Sequence, residues 1–124
     1  LVTCCQELSD DAALSTERTP FQEQLLAMHR DGITAIIAEN DRIAELIFLA
    51  CRTIGLRIPE DFCLCGFDDT NVSRSLGITS IHQDFAGIGR EVGRVLLAAL
   101  ENPAAEAEKI ILPVTLVPRS SSLR

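Results

Sequence analysis

"ITAIIAENDRIAELIFLACRTIGLRIPEDFCLCGF", residues 33–67, decides how the rest of the chain is read. It opens on a continuous apolar run from Ile33 to Ala38, rich in β-branched residues. That is the pattern of a strand buried on both faces. An acid, an amide and a second acid follow at Glu39, Asn40 and Asp41. Apolar residues then recur at helical spacing: Ile43, Ile47, Ala50, Cys51 and Ile54. Asn40 or Asp41 suits the cap of that helix. Gly55 suits its end, and Pro59 blocks a restart. "DFCLCGF", 61–67, returns to strand. Buried strand, helix and buried strand joined by short connections build a parallel sheet with helices on both faces, an α/β fold. Ligands of such sheets sit beyond the carboxyl ends of the strands. Glu39, Asn40 and Asp41 stand at one such end, and Asp68 and Asp69 at the next.

Working outward, "LVTCC" (1–5) reads as a short buried strand and residues 6–18 as a loop. Thr19 followed by Pro20 is a helix-start signal. The helix it opens turns Leu25, Leu26 and Met28 to the core and stops at Gly32. Beyond Asp69 the period is lost: "TNVSRSLGITS" (70–80) reads as an irregular polar stretch and "SIHQ" (80–83) as a brief extended piece. Asp84 caps a long helix from Phe85 to about Glu101, with Ile88, Val92, Val95, Leu96 and Ala99 on one face. Gly89 and Gly93 lie on another face and permit close packing. "ENPAAEAE" (101–108) reads as a surface loop, and "KIILPVTLVPR" (109–119) as one or two strands broken at Pro113.

The chain has 124 residues, room for one modest domain, and its 47% hydrophobic and 23% charged content is globular. A formal charge of -7 with a single lysine, Lys109, does not suit a surface that grips nucleic acid by itself. No apolar run reaches the roughly 20 residues a membrane span needs. No signal peptide is visible, and an opening at Leu1 reads as a mature product or a cut from something longer. Five cysteines, with no paired CxxC spacing, read as small buried hydrophobes in a reducing cytoplasm and not as a zinc site.

Enzyme motifs are lacking: there is no GxSxG elbow, Walker loop or HExxH. His29 falls near a helix end, and His82 has no nucleophile beside it. Asp68 and Asp69 are open to two readings, a Mg²⁺-binding or phosphoryl-transfer pair and a turn cap. No cofactor and no metal is expected, and the chain is not expected to be an enzyme. Binding of a polyhydroxylated ligand is better served. Planar acceptor–donor side chains bridge paired hydroxyls, and an apolar wall covers the ring. Asn40, Asp41, Gln83 and Phe85 offer these groups. Helix capping remains open for Asn40 and Asp41, and core packing for Phe85.

Several spaced motifs recur in one order over residues 33–122: "TAI" with "ND" at a strand–helix joint, "GLRIPED", "GFDD", "SIHQDFAGIGREVGRVLLAAL" and "ILPVTLVPRSS". This combination resembles the effector-binding domain of lactose-repressor/galactose-repressor (LacI/GalR) transcription regulators. The resemblance implies a two-lobed fold like that of periplasmic sugar-binding proteins, of which the chain is a part. It implies that Asp41, with Asn40 beside it, and Gln83 contact the effector, and that Phe85 lines the pocket. Asp41 and Gln83 are then expected to face each other from opposite lobes. Residues 1–82 would belong to the lobe distal to DNA, 83–112 to the crossover helix and strand of the DNA-proximal lobe, and 113–124 to the return strand and tail. Glu39 departs from the small or neutral residue usual in the family. "NDRIAELI" is closer to arabinose-type regulators, which carry a winged-helix reader.

The expected function is a ligand-sensing domain of a bacterial repressor. A small effector, a sugar for preference, would control DNA binding by a reader domain outside this chain. A cytoplasmic homodimer is expected, with no membrane partner. The alternatives are an exported solute-binding protein of the same fold and, behind it, an Asp-based phosphoryl-transfer module.

Overall fold

Thr19 and Gln22 open the first element by exchanging hydrogen bonds. Gln22 N donates to Thr19 Oγ1 at 3.3 Å, and Thr19 N donates to Gln22 Oε1 at 2.9 Å. In a computed structural model, residues 18–103 and 108–123 are described. The expected strand at residues 1–5, nearly all of the loop after it, and part of the 101–108 loop lie outside them. The elements are α1 (Pro20–Arg30), β1 (Ala35–Ile37), α2 (Asp41–Thr53), β2 (Cys63–Asp68), α3 (Asn71–Leu76), β3 (Thr79–Gln83), α4 (Phe85–Glu101) and β4 (Val114–Val117).

The strands form one sheet in the order β1-β2-β3-β4. The first three run parallel, and β4 returns antiparallel beside β3. The α/β fold is therefore as expected, with a mixed sheet in place of a wholly parallel one. Helix α2 lies on β2, flanked by α1 and α3. Between them Leu25, Ala44, Ile47, Cys51, Phe62, Leu64 and Ile78 make the buried core. The apolar stripe read from α2 supplies Ile47 and Cys51 to it. Gly55 follows the helix at φ +80°, a conformation that costs glycine little.

Two local expectations change, and a third is narrowed. The run from Ile33 to Ala38 is not buried on both faces: it keeps only a three-residue edge strand, and Ile37 is 65% exposed. Ile37, Cys65 and Thr79 are cross-strand partners, as are Phe67, Ile81 and Leu116. That face of the sheet, opposite α2, is open at Ile37, Val114 and Leu116. The stretch 70–80 is not irregular. It folds as α3, a six-residue helix, with Gly77 in the left-handed region at its end, and enters β3 at Thr79. The segment after Lys109 makes one strand, starting just past Pro113. Helix α4, capped by Asp84 as expected, has no buried residue, and nothing lies within 4 Å of a side chain placed at Gly89 or Gly93.

A candidate ligand-binding edge

The parallel strands bring their carboxyl ends to one edge. Asn40 follows β1 there, Asp68 ends β2 and Gln83 ends β3. Asp68 pairs in register with His82, which sets Gln83 one position further along the edge. Gln83 Nε2 donates to Asp68 Oδ1 at 2.8 Å. Both side chains are half-buried. Asn40 is the N-cap of α2: Ile43 N donates to Asn40 Oδ1 at 2.9 Å, which leaves the Nδ2 amide uncommitted by the cap. Phe85 opens α4 immediately beyond the edge and is 56% exposed.

Asp41 is placed differently. It is the first residue of α2 after the cap and is almost fully buried. Its Oδ1 accepts from Ser80 Oγ at 2.6 Å, and its Oδ2 from Thr70 N at 2.6 Å and Thr70 Oγ1 at 2.9 Å. Gly66 of β2 makes room for it, because a Cβ there would run into the Asp41 carboxylate. Burial pushes the Asp41 carboxyl upward, but hydrogen bonds from Ser80, Ser73 and Thr70 outweigh it and hold the group below its ordinary value. Asp41 thus ties α2 to β3 and to the start of α3. It does not face Gln83 from an opposite lobe: β3, the strand that Gln83 ends, is the one that bonds Asp41 through Ser80, and the Gln83 side chain turns to Asp68.

Sequence reasoning gave Asp68 and Asp69 a choice between metal chemistry and turn capping. Neither describes them. Both stand at positive φ, 102° and 53°, which is uncommon outside glycine. Asp69 is buried, and its carboxylate accepts from Arg74 Nη2 at 2.9 Å and from Arg119 Nη2, with His82 Nδ1 3.2 Å away. The hydrogen bond from Arg74, joined by Arg119 against an opposing burial cost, holds its carboxyl down to about 2. Among the described residues no cluster of three His, Cys, Asp or Glu side chains could hold a metal ion. Asp68 is a candidate at this edge that the sequence reading did not name as a ligand contact. Its signal was its place at the end of a strand, shared with Asp69, and only the side-chain directions separate the two.

The comparison that decides the family is a match over residues 4–122 to the periplasmic binding protein-like domain. The chain belongs to that family. Within it, the domain is of the LacI/GalR effector-binding type, and its relatives are repressors. It is 33% identical over 90 residues to the ribose operon repressor of Haemophilus influenzae, an alignment covering 71% of this chain and 27% of that protein. Among solved structures it resembles a CelR–cellobiose complex, with a TM-score of 0.73 and 28% identity over 82% of this chain and 31% of that one. It also resembles the lac repressor dimer bound to operator, with a TM-score of 0.68 and 33% identity over 82% of this chain and 37% of that one. The LacI/GalR-type domain therefore spans 27% to 37% of these regulators, and no helix among its described residues is long and apolar enough to cross a membrane.

Proposed function

We propose that this domain senses a small polyhydroxylated effector, a sugar for preference, at the carboxyl edge of its sheet. The single observation that carries the reading is the Gln83–Asp68 hydrogen bond at that edge, between an amide and a carboxylate that each keep further bonding capacity. Asn40 adds an amide beside them and Phe85 an apolar wall. Asp41, inside the fold, is the brace beneath the edge and not a ligand contact. Cellobiose in one structural relative, and a ribose operon repressor among the sequence relatives, support a sugar as the ligand class.

Residues 1–82 with Gln83 act as one lobe. The chain leaves it at Asp84 for a second lobe, which α4 begins and which runs to residue 112, and residues 113–124 return. The exposed length of α4 and the open sheet face fit a domain completed by further polypeptide. The complete protein is a cytoplasmic homodimeric repressor whose separate reader domain binds DNA. The effector acts by binding one lobe arrangement better than the other. Phosphoryl transfer at Asp69 has no support, because both oxygens of its carboxylate accept from guanidinium groups.

A thermal-shift screen of sugars on the complete regulator tests this. A sugar should raise the unfolding midpoint of the wild type, and Asp68→Asn, which tolerates the positive φ of this position, should sharply reduce that rise with little change in the ligand-free midpoint. A rise that persists undiminished in Asp68→Asn, or the absence of any responding sugar, overturns the reading.

A further inference from the structure

The turn that presents Asp68 is held from four directions. Two successive non-glycine residues at positive φ, Asp68 and Asp69, store backbone strain that persists only where surrounding contacts over-determine it. From β3, Ser80 Oγ accepts from Asp69 N at 3.0 Å, and Gln83 holds Asp68. From α2, Asp41 holds Thr70. From α3, Arg74 reaches Asp69. The fourth contact comes from the end of the chain. Arg119, 50 residues beyond Asp69, bridges the Ile78 carbonyl at 2.8 Å and the Asp69 carboxylate, and it is itself largely buried.

Arg119 is locked before it reaches Asp69. Its backbone N–H donates to Thr79 Oγ1 at 2.8 Å, and Thr79 Oγ1 lies 3.1 Å from the Arg119 carbonyl. Ser121 then stitches the tail to the amino ends of β2 and β3: its hydroxyl donates to the Leu64 carbonyl and accepts from Thr79 N at 2.8 Å. The tail is therefore fixed at one end of the strands, and the guanidinium carries that fixed position to the turn leading from β2 to α3. A buried, charge-assisted contact of this kind is strong and directional.

We propose that Asp69 is a positioning residue, and that the Arg119 and Arg74 guanidiniums clamp it so that Asp68 stays in its left-handed conformation beside Gln83. The carboxy-terminal segment, although it offers no group at the ligand edge, then sets the geometry of that edge. The inference rests on the reading of Asp68 as a ligand contact, but the test below does not.

Residue-resolved hydrogen exchange on the complete regulator, without ligand, separates positioning from general support. Arg119→Gln removes the clamp, and Ser121→Ala removes a buried tail contact that does not touch Asp69. Both should lower the unfolding midpoint. Only Arg119→Gln should speed exchange at Asp69 and Thr70 by more than about tenfold beyond any change at Leu64. Arg74→Gln, at an exposed side chain, should speed the same two amides by a smaller factor and serves if Arg119→Gln does not fold. Restoring the cation as Arg119→Lys should recover part of the protection. Equal effects of Arg119→Gln and Ser121→Ala on the turn, or turn amides unmoved by either arginine variant, overturn the inference. A loosened turn with sugar affinity unchanged would instead leave the inference standing and count against the ligand reading.

Discussion

The carboxylate of Asp41 receives the hydroxyl of Ser80 at 2.6 Å across 39 residues of chain, joining the start of α2 to the middle of β3. Asp41→Ala would strand that hydroxyl and the Thr70 N–H in a buried space. Losing hydrogen bonds to a buried charge costs roughly 2–4 kcal/mol in total. Urea unfolding should show that loss. Unchanged stability would mean Asp41 is not a brace. Sequence alone leaves helix capping open for both Asn40 and Asp41 and carries no sign of this brace.

Gly66 meets the same carboxylate from below. A methyl group there would overlap the Asp41 oxygen and press on Ala44 Cβ at 3.3 Å. Gly66→Ala should destabilise by roughly 1–3 kcal/mol, the usual cost of overpacking. A double variant with Asp41→Ala should be less destabilised than the sum of the two, since the clash has one common partner. Strict additivity in denaturant titrations would count against the contact.

Asp69 sets a pH dependence with a definite sign. Its folded carboxyl lies near 2 against an ordinary value of 3.8, so the unfolded chain takes up the proton first as pH falls. Its contribution is fully present above about pH 4 and is lost as pH drops toward 2. Asp41, also held below its ordinary value, works in the same direction. Asp69→Asn should therefore be less stable than the wild type at pH 6 and lose less further stability between pH 4 and 2. Parallel curves from thermal unfolding across that range would refute the assignment.

Gln83→Leu separates ligand contact from folding. The side chain is half-buried and ends β3 with one side-chain hydrogen bond, to Asp68. Stability should change by no more than about 1 kcal/mol. Binding of any sugar found for the complete regulator should weaken about tenfold or more, because an amide that bridges two hydroxyls is lost. Thermal unfolding reads the first number and calorimetric titration the second, and an unaltered affinity would remove Gln83 from the site.

Much of the architecture is written locally. The caps at Thr19, Asn40 and Asp84 and the stop at Gly55 depend on contacts within a few residues, and pattern reading found them. The strand–helix alternation rests on hydrophobic periodicity, which is also local, so the α/β fold and the edge holding Asn40 and Asp68 were legible, while Gln83, expected in the opposite lobe, joins that edge only in the structure. Helix α3 was not, because six residues are too few to show a period. The exposure of Ile37 was not either: an apolar strand run reads alike whether or not its second face is covered.

What the tertiary structure alone decided is the direction of four carboxylate contacts. Asp41 and Asp68 both follow strand-like runs beside a helix start, and sequence named Asp41, not Asp68, as the ligand contact. Partners 29 to 50 residues away turn Asp41 and Asp69 inward, while positive φ and Gln83 hold Asp68 at the edge. A side chain's direction follows from desolvation and hydrogen bonding to whatever the fold brings near. Those neighbours are set by chain crossings that local periodicity does not encode.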